Sequence, residues 1–296
     1  MLLGAFCAGL LVLLAHLRQH GRSLAEWLSR LPPGDAVVVY LDFGALRRAG
    51  LLELLDLGRL AEETEYRAFV EQSGFDPRLD LEAALIAFHP DGNFFLLRGR
   101  FDWRSLNQFV TAHGGTCYNS FCRVAGSRPE RRISYFPLRR DLMAMAVSQD
   151  AWAASRLQTR WGAMQSGDIA SHPVWALIPA HFLAQAGDLP AGTRLFAKAL
   201  SAAERIVFSA SPAGDHMELH LDVVCRSAQD ADVLVTQLRG LTEALREMIA
   251  REKQQPNPRD LSGVLTAGVF EQTERRVRGR WPLSRPFLES LWGALR

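Results

Sequence analysis

The chain has 296 residues, 48% hydrophobic and 22% charged, with a formal net charge of +2 at pH 7. That composition supplies ample core material and excludes a disordered chain, and near-neutrality excludes the global positive field of a nucleic-acid-binding protein. The length suits one large domain or two ordinary ones.

Met1 to Leu17 is apolar apart from His16, and Arg18, His20 and Arg22 follow directly. A run of that length is the short limit for a membrane-spanning helix, which needs about 20 residues. No basic stretch precedes it and no small-x-small cleavage site follows, so residues 1–17 read as an uncleaved single-pass transmembrane anchor in the lipid bilayer. The alternative is a buried N-terminal helix. The basic flank would keep the following chain in the cytoplasm by the positive-inside rule. Residues 18–34 then form a connector, amphipathic from Ser23 and ended by Pro32-Pro33-Gly34.

A first α+β unit spans 35–165. Ala36 to Phe43 is rich in β-branched residues and reads as a buried strand. Residues 44–59 and 61–73 carry leucines and aromatics at helical spacing. Ala83–Phe88 and Phe94–Phe101 make a hairpin around Pro90-Asp91-Gly92. Asp102 caps a helix from Trp103 to His113, stopped by Gly114-Gly115. Strands follow around 116–125, 131–138 and 142–148, and a helix over 150–161 closes the unit.

Within it, Cys117 and Cys122 flank Asn119-Ser120, a hairpin tip that would set the cysteines opposite one another. A disulfide is one reading and two free thiols are another. Zinc would need two more ligands, and no second cysteine pair exists. A disulfide implies an oxidising, extracytoplasmic compartment, which pulls against the basic flank at Arg18 and Arg22.

A second unit spans 170–296. It opens with an apolar stretch over 174–183 and a helix near 191–203. A hairpin follows over 204–210 and 216–224. Ser227 then caps a long helix, with Asp230 in the capping-box position, running to Lys253. Gln254 to Pro258 breaks it. Strands are expected near 261–270 and 274–281, with a terminal helix over 287–295. The whole reads as α+β: two tandem repeats of mainly antiparallel sheet with helices on one face, behind a transmembrane helix.

The tandem reading rests on two echoes in the same order. Glu130-Arg-Arg-Ile-Ser-Tyr-Phe-Pro-Leu138 returns as Glu274-Arg-Arg-Val-Arg-Gly-Arg-Trp-Pro-Leu283, offset by 144 to 145 residues. His89-Pro-Asp-Gly-Asn93 returns as Ser211-Pro-Ala-Gly-Asp215, offset by 122. Solvation explains the paired arginines, with a lobe contact or anionic headgroups as the functional readings.

The sharpest chemical candidate is His216-Met-Glu-Leu-His-Leu-Asp222. Alternation puts His216, Glu218, His220 and Asp222 on one strand face, a row whose nitrogens and carboxylates are standard metal ligands. Yet residues four apart on a strand lie about 13 Å from each other, too far for one ion, and a half-solvated antiparallel strand shows such a polar row anyway. No nucleophile elbow, phosphate loop or dinucleotide fingerprint is present, so no catalytic residue and no cofactor is expected.

The anchor, the opening Pro33-Gly-Asp-Ala-Val-Val-Val-Tyr-Leu-Asp42 and Arg98-Gly-Arg-Phe-Asp102 entering a helix resemble a class of bacterial proteins of unassigned activity. These carry one N-terminal anchor and a duplicated extracytoplasmic α+β region. The resemblance implies an outside location and no functional residues. The expected function is a membrane-tethered, non-enzymatic binding or scaffolding protein. Its ligand, whether envelope protein, peptide or lipid, would lie between the lobes, and no nucleic acid is involved. The alternatives are a metal-dependent or other hydrolase using His216, Glu218 and His220, and a structural envelope protein joined through sheet edges.

Overall fold

The structure, a computed structural model, describes residues 24–50, 52, 64–126, 131–162, 172–184, 191–213 and 216–294. The expected anchor over 1–17 lies outside them. Among the described residues no helix is long and apolar enough to cross a membrane. The fold is α+β, dominated by antiparallel sheet.

Among the described residues twelve strands form one sheet. They are β1 (Val37–Leu41), β2 (Leu81–His89), β3 (Gly92–Gly99), β4 (Thr116–Tyr118), β5 (Phe121–Ala125), β6 (Arg132–Arg139), β7 (Leu142–Ser148), β8 (Val174–Ile178), β9 (Arg205–Ala213), β10 (His216–Val224), β11 (Val269–Thr273) and β12 (Arg276–Leu283). Their order is β11-β12-β10-β9-β8-β1-β2-β3-β7-β6-β5-β4. The junction is the antiparallel pair β1–β8, with Val38 opposite Leu177 and Tyr40 opposite Trp175. The Tyr40 and Trp175 rings stack at 5.6 Å between centroids. Outward from it the two sides run β1-β2-β3-β7-β6 and β8-β9-β10-β12-β11. The turn echo falls at matching places, between β2 and β3 and between β9 and β10. The Glu-Arg-Arg copies lead into β6 and β12, which occupy different ranks in that order.

Local chemistry sets the turns. At Gly92 (φ 141°) an added Cβ would come within 2.7 Å of Ser148 Cβ, so a side chain has no room. Asn119 and Ser120 both adopt positive φ, 48° and 65°, the backbone that suits a two-residue hairpin turn. That turn sets Cys117 opposite Cys122, and the two form a disulfide.

Alternation gives the sheet two faces. One carries Leu81, Ala84, Tyr135 and Met143 on the first side of the junction and Ile206, Leu221, Val277 and Trp281 on the second. Most helices lie against this face. On the second side the long helix Ala228–Arg251 buries Ala231, Leu234, Val235, Leu238 and Thr242, a stripe at helical spacing. Ser227 accepts from Asp230 N at 3.0 Å to cap it.

The opposite face differs between the sides. On the first, Val38, Leu85, Phe94, Leu96 and Ala144 lie beneath Leu24, Trp27, Leu28 and Leu31, an i, i+3, i+4, i+7 stripe running along and just past the helix 24–30. Glu26 fixes that helix through Arg30 and Arg160, each at 3.1 Å. These guanidinium contacts hold its carboxyl below the usual carboxylate range. A 3-10 helix, Ala153–Gln158, closes the same face, with Ala154 N donating to the buried Ser134 Oγ at 3.1 Å. Two expectations change here. The described part of the expected connector, 24–34, supplies a core element, because its leucines and Trp27 share one helical stripe. Helices also cover both faces of the first side, because β1, β2, β3 and β7 are apolar on both.

Further differences are local. Leu261–Thr266 is a helix capped by Asp260, which accepts from Ser262 N at 2.8 Å, so the strand expected from 261 begins at Val269. Both sheet ends are guarded. β4 has three residues stapled by the disulfide, and at β11 the Phe270 carbonyl accepts from Arg239 at 2.7 Å.

Two outcomes follow. Trp27→Ala should cost about 3–5 kcal/mol by chemical denaturation, whereas Leu79→Ala, at an exposed site, should stay within about 0.5 kcal/mol. Equal effects would mean that the helix 24–30 is not part of the core. Burial, aided by the Asp42 carboxylate, pushes the Tyr40 hydroxyl up to about 12, and burial raises Tyr135 as well. Above about pH 10 the unfolded chain loses these protons while the folded state keeps them, so stability falls by roughly 1.4 kcal/mol per pH unit for each tyrosine. Denaturation of Tyr40→Phe and Tyr135→Phe between about pH 9 and pH 12 should show a shallower fall than wild type; an identical slope refutes the assignment.

Candidate functional site

On the second side of the junction no described helix covers the face that carries Trp27 on the first side. Strand register lays out that open face in rows. Arg205, Val224 and Arg276 lie abreast on β9, β10 and β12, followed by Val207, Asp222 and Arg278, then by Ser209, His220 and Arg280. Over these rows lies a cleft of about 240 Å³, lined by His172, Arg205, Ser209, His220, Asp222, Arg276 and Arg278. Val207 and Ser209 are buried at its floor, 5% and 7% exposed.

The row His216, Glu218, His220 and Asp222 therefore occupies one strand face, as alternation requires. Its members do not converge. Asp222 faces β12, with Oδ1 3.3 Å from Arg276 Nε and Oδ2 3.8 Å from Arg278 Nε. His220 Nε2 lies 3.2 Å from Ser211 Oγ and 3.4 Å from Glu218 Oε2. His216 sits at the hairpin end of β10, opposite Ala213. Among the described residues no group of three or more His, Cys, Asp and Glu side chains is placed to hold one metal ion.

Sequence reasoning missed His172, Arg205, Arg276 and Arg278 as partners of this row. His172 precedes β8, and its ring lies 5.0 Å from that of His220. Burial, then the neighbouring His220, lowers its pKa. Arg205 arrives through the neighbouring strand β9, and Arg276 and Arg278 through pairing of β10 with β12, more than fifty residues on. A signal was present in Arg276-Val-Arg-Gly-Arg-Trp281, where polar and apolar positions alternate strictly.

A wider hollow of about 1040 Å³ lies near Arg100, Trp103 and Arg140, beside the end of β3 and the turn between β6 and β7. Its polar groups already have structural duties. Arg100 pairs with Asp80 at 2.9 Å, Asp102 caps the helix Trp103–Ala112, and Trp103 Nε1 donates to the Arg140 carbonyl at 2.9 Å. The arginine-lined cleft is the stronger candidate.

Since the folded pKa of His172 is depressed, the unfolded chain takes up that proton first as pH falls. The stability its neutral ring contributes is present above the ordinary histidine value of about 6.5 and is lost as pH drops through the folded one. NMR titration should place His172 below ordinary histidine, and His172→Gln should flatten the acid limb of stability. An ordinary midpoint would contradict the burial.

No family model and no curated protein matches the chain. Among solved structures it is similar to three crystal forms of TP0453, a protein of the bacterium Treponema. Form I aligns at a TM-score of 0.54 and 12% identity, covering 91% of this chain and 96% of that one. Form III gives 0.54 and 10%, covering 90% and 96%. Form IV gives 0.51 and 11%, covering 90% and 95%. The likeness is one of fold, α+β with a dominant antiparallel sheet, over nearly the whole of both chains.

Proposed function

We propose that this is a non-enzymatic binding protein, held at a membrane by residues 1–17 with its sheet on the extracytoplasmic side. Its ligand would be taken on the open polar face over β9, β10 and β12. The observation that carries the reading is the contrast between the two sides of one sheet face. The first is sealed by the helix 24–30, while the second presents charged side chains above a partly buried floor. The duplicated strand order supports a pseudo-symmetric origin, in which one copy has a helical cover and the other has none among the described residues.

The hydrolase alternative draws less support, since Glu218, His220 and Asp222 spend their contacts on Ser211, Arg276, Arg278 and one another. Guarded sheet ends likewise weigh against a structural protein that assembles edge to edge. The disulfide favours an oxidising compartment.

Three measurements test the reading. The chain should stay with membranes through alkaline carbonate extraction and be released when residues 1–17 are deleted. An impermeant maleimide should label Cys117 and Cys122 in intact cells only after reduction. Zinc, manganese or magnesium should leave the melting temperature unchanged. Release of the intact chain, or labelling only after lysis, would overturn the tether or its orientation. Metal stabilisation that disappears in His220→Ala would overturn the non-enzymatic reading.

A further inference from the structure

We infer that the Cys117–Cys122 disulfide is a reversible thiol–disulfide exchange site. It takes two electrons from a dithiol while the rest of the fold stays intact, and Asn107 is its positioning residue. The inference does not depend on what the open face over β9, β10 and β12 binds. The two cysteines lie directly opposite each other on β4 and β5, five positions apart in sequence. A crosslink closing so short a loop removes less chain entropy from the unfolded state than one spanning a longer stretch, so its reduction is compatible with a folded chain. It also ties down only β4, a three-residue strand at the end of the sheet order. Local opening of β4 leaves the pairing of β5 with β6 and of β6 with β7 in place.

The two sulfurs differ in access. Cys117 is half-buried between the exposed Thr116 and Tyr118, whereas Cys122 is fully buried. A dithiol thiolate therefore attacks at Cys117 Sγ. A mixed disulfide forms on Cys117, the bond to Cys122 breaks, and Cys122 leaves as the thiolate. The second sulfur of the dithiol then displaces Cys117 and closes the reductant into a cyclic disulfide. The two protons lost by the dithiol end on the two cysteines, and its two electrons stay with the protein.

Asn107, on the helix Trp103–Ala112, is placed to receive the products. Its Oδ1 lies 3.2 Å from Cys122 Sγ, and its backbone carbonyl oxygen lies 3.8 Å from Cys117 Sγ. Neither sulfur has a proton to donate while the disulfide stands. After reduction each thiol has an acceptor within reach, so the reduced form gains S–H···O bonds that the oxidised form cannot make. Tyr135 holds the carboxamide in this orientation by donating its hydroxyl proton to Oδ1 at 3.2 Å. Leu106 and Val110, buried in the same core as Cys122 and Tyr135, fix the helix against the hairpin.

Equilibration of the full chain in neutral detergent with mixtures of reduced and oxidised dithiothreitol, followed by alkylation and mass counting, tests the site. The double variant Cys117→Ser, Cys122→Ser gives the background from the other cysteines. Complete, reversible reduction with cooperative melting retained is expected. Asn107→Ala should shift the exchange equilibrium about two- to tenfold toward the disulfide, the scale of one lost hydrogen bond. Asn107→Asp keeps acceptor oxygens beside Cys122 and should shift it toward the dithiol. A merely structural asparagine would move both variants the same way. The lone thiol left at this hairpin by Cys122→Ser should react with an aromatic disulfide at least about tenfold faster than the one left by Cys117→Ser, as access dictates.

Reduction that occurs only together with unfolding would make the crosslink purely structural and overturn the site, leaving the tether and metal measurements standing. Shifts of one sign in the two Asn107 variants, or none, overturn the role given to Asn107. Equal reactivity of the two thiols overturns attack at Cys117.

Discussion

Everything in this molecule hangs on the pairing of β1 with β8. Each is the first strand of its side, and each would otherwise end a smaller sheet with a bare edge. Joined, they bury Val38 and Trp175 and convert two potential aggregation edges into the centre of a continuous ladder. The Tyr40–Trp175 stack spans the seam, so the joint is fastened by aromatic packing as well as by backbone hydrogen bonds. The two sides consequently share one sheet surface, and whatever covers or exposes it on one side lies beside what happens on the other.

That shared surface is where function enters. Helical cover on the first side needs an apolar floor, and β1, β2, β3 and β7 supply it with Val38, Leu85, Phe94, Leu96 and Ala144. Over β9, β10 and β12 the same face has arginine, histidine, serine and aspartate, which a helix could cover only by desolvating charges. That no described helix covers the cleft is thus a consequence of side-chain chemistry in the strands themselves. Ion pairs between Asp222 and the β12 arginines keep this charge-rich area ordered without closing it.

Much of this was legible in the sequence wherever the determinant was local. Asp102 and Ser227 announced their helices by capping chemistry, Asn119-Ser120 announced the hairpin and with it the cysteine pair, and strict alternation placed the His216–Asp222 row on one face. What escaped was long-range or too short to carry a period. Leu261–Thr266 has six residues, and an apolar run of that length fits a strand as well as a helical turn. The amphipathic stretch before Pro32 was visible, yet nothing local said that its stripe would seal a sheet. The Glu-Arg-Arg repetition was real as text but misleading as geometry, since β7 inserts between β3 and β6 while β12 lies directly beside β10. Arg276 and Arg278 reached the cleft only because β12 chose β10 as its neighbour.

The fastening of the helix 24–30 also bears on how the chain is made. Its partners on the 3-10 helix and just beyond, where Arg30 meets the Leu157 carbonyl and Trp161 N donates to Ser29 O, come more than a hundred residues later. During synthesis the first core therefore cannot be locked until residue 161 has left the ribosome. Once it has, all of that core except Trp175 and Val207 is in hand. At that moment β1 is an unpaired edge on an otherwise assembled sheet, and β8 is among the next segments to emerge. The first side then serves as a template on which the second is laid down, strand by strand, away from the seam.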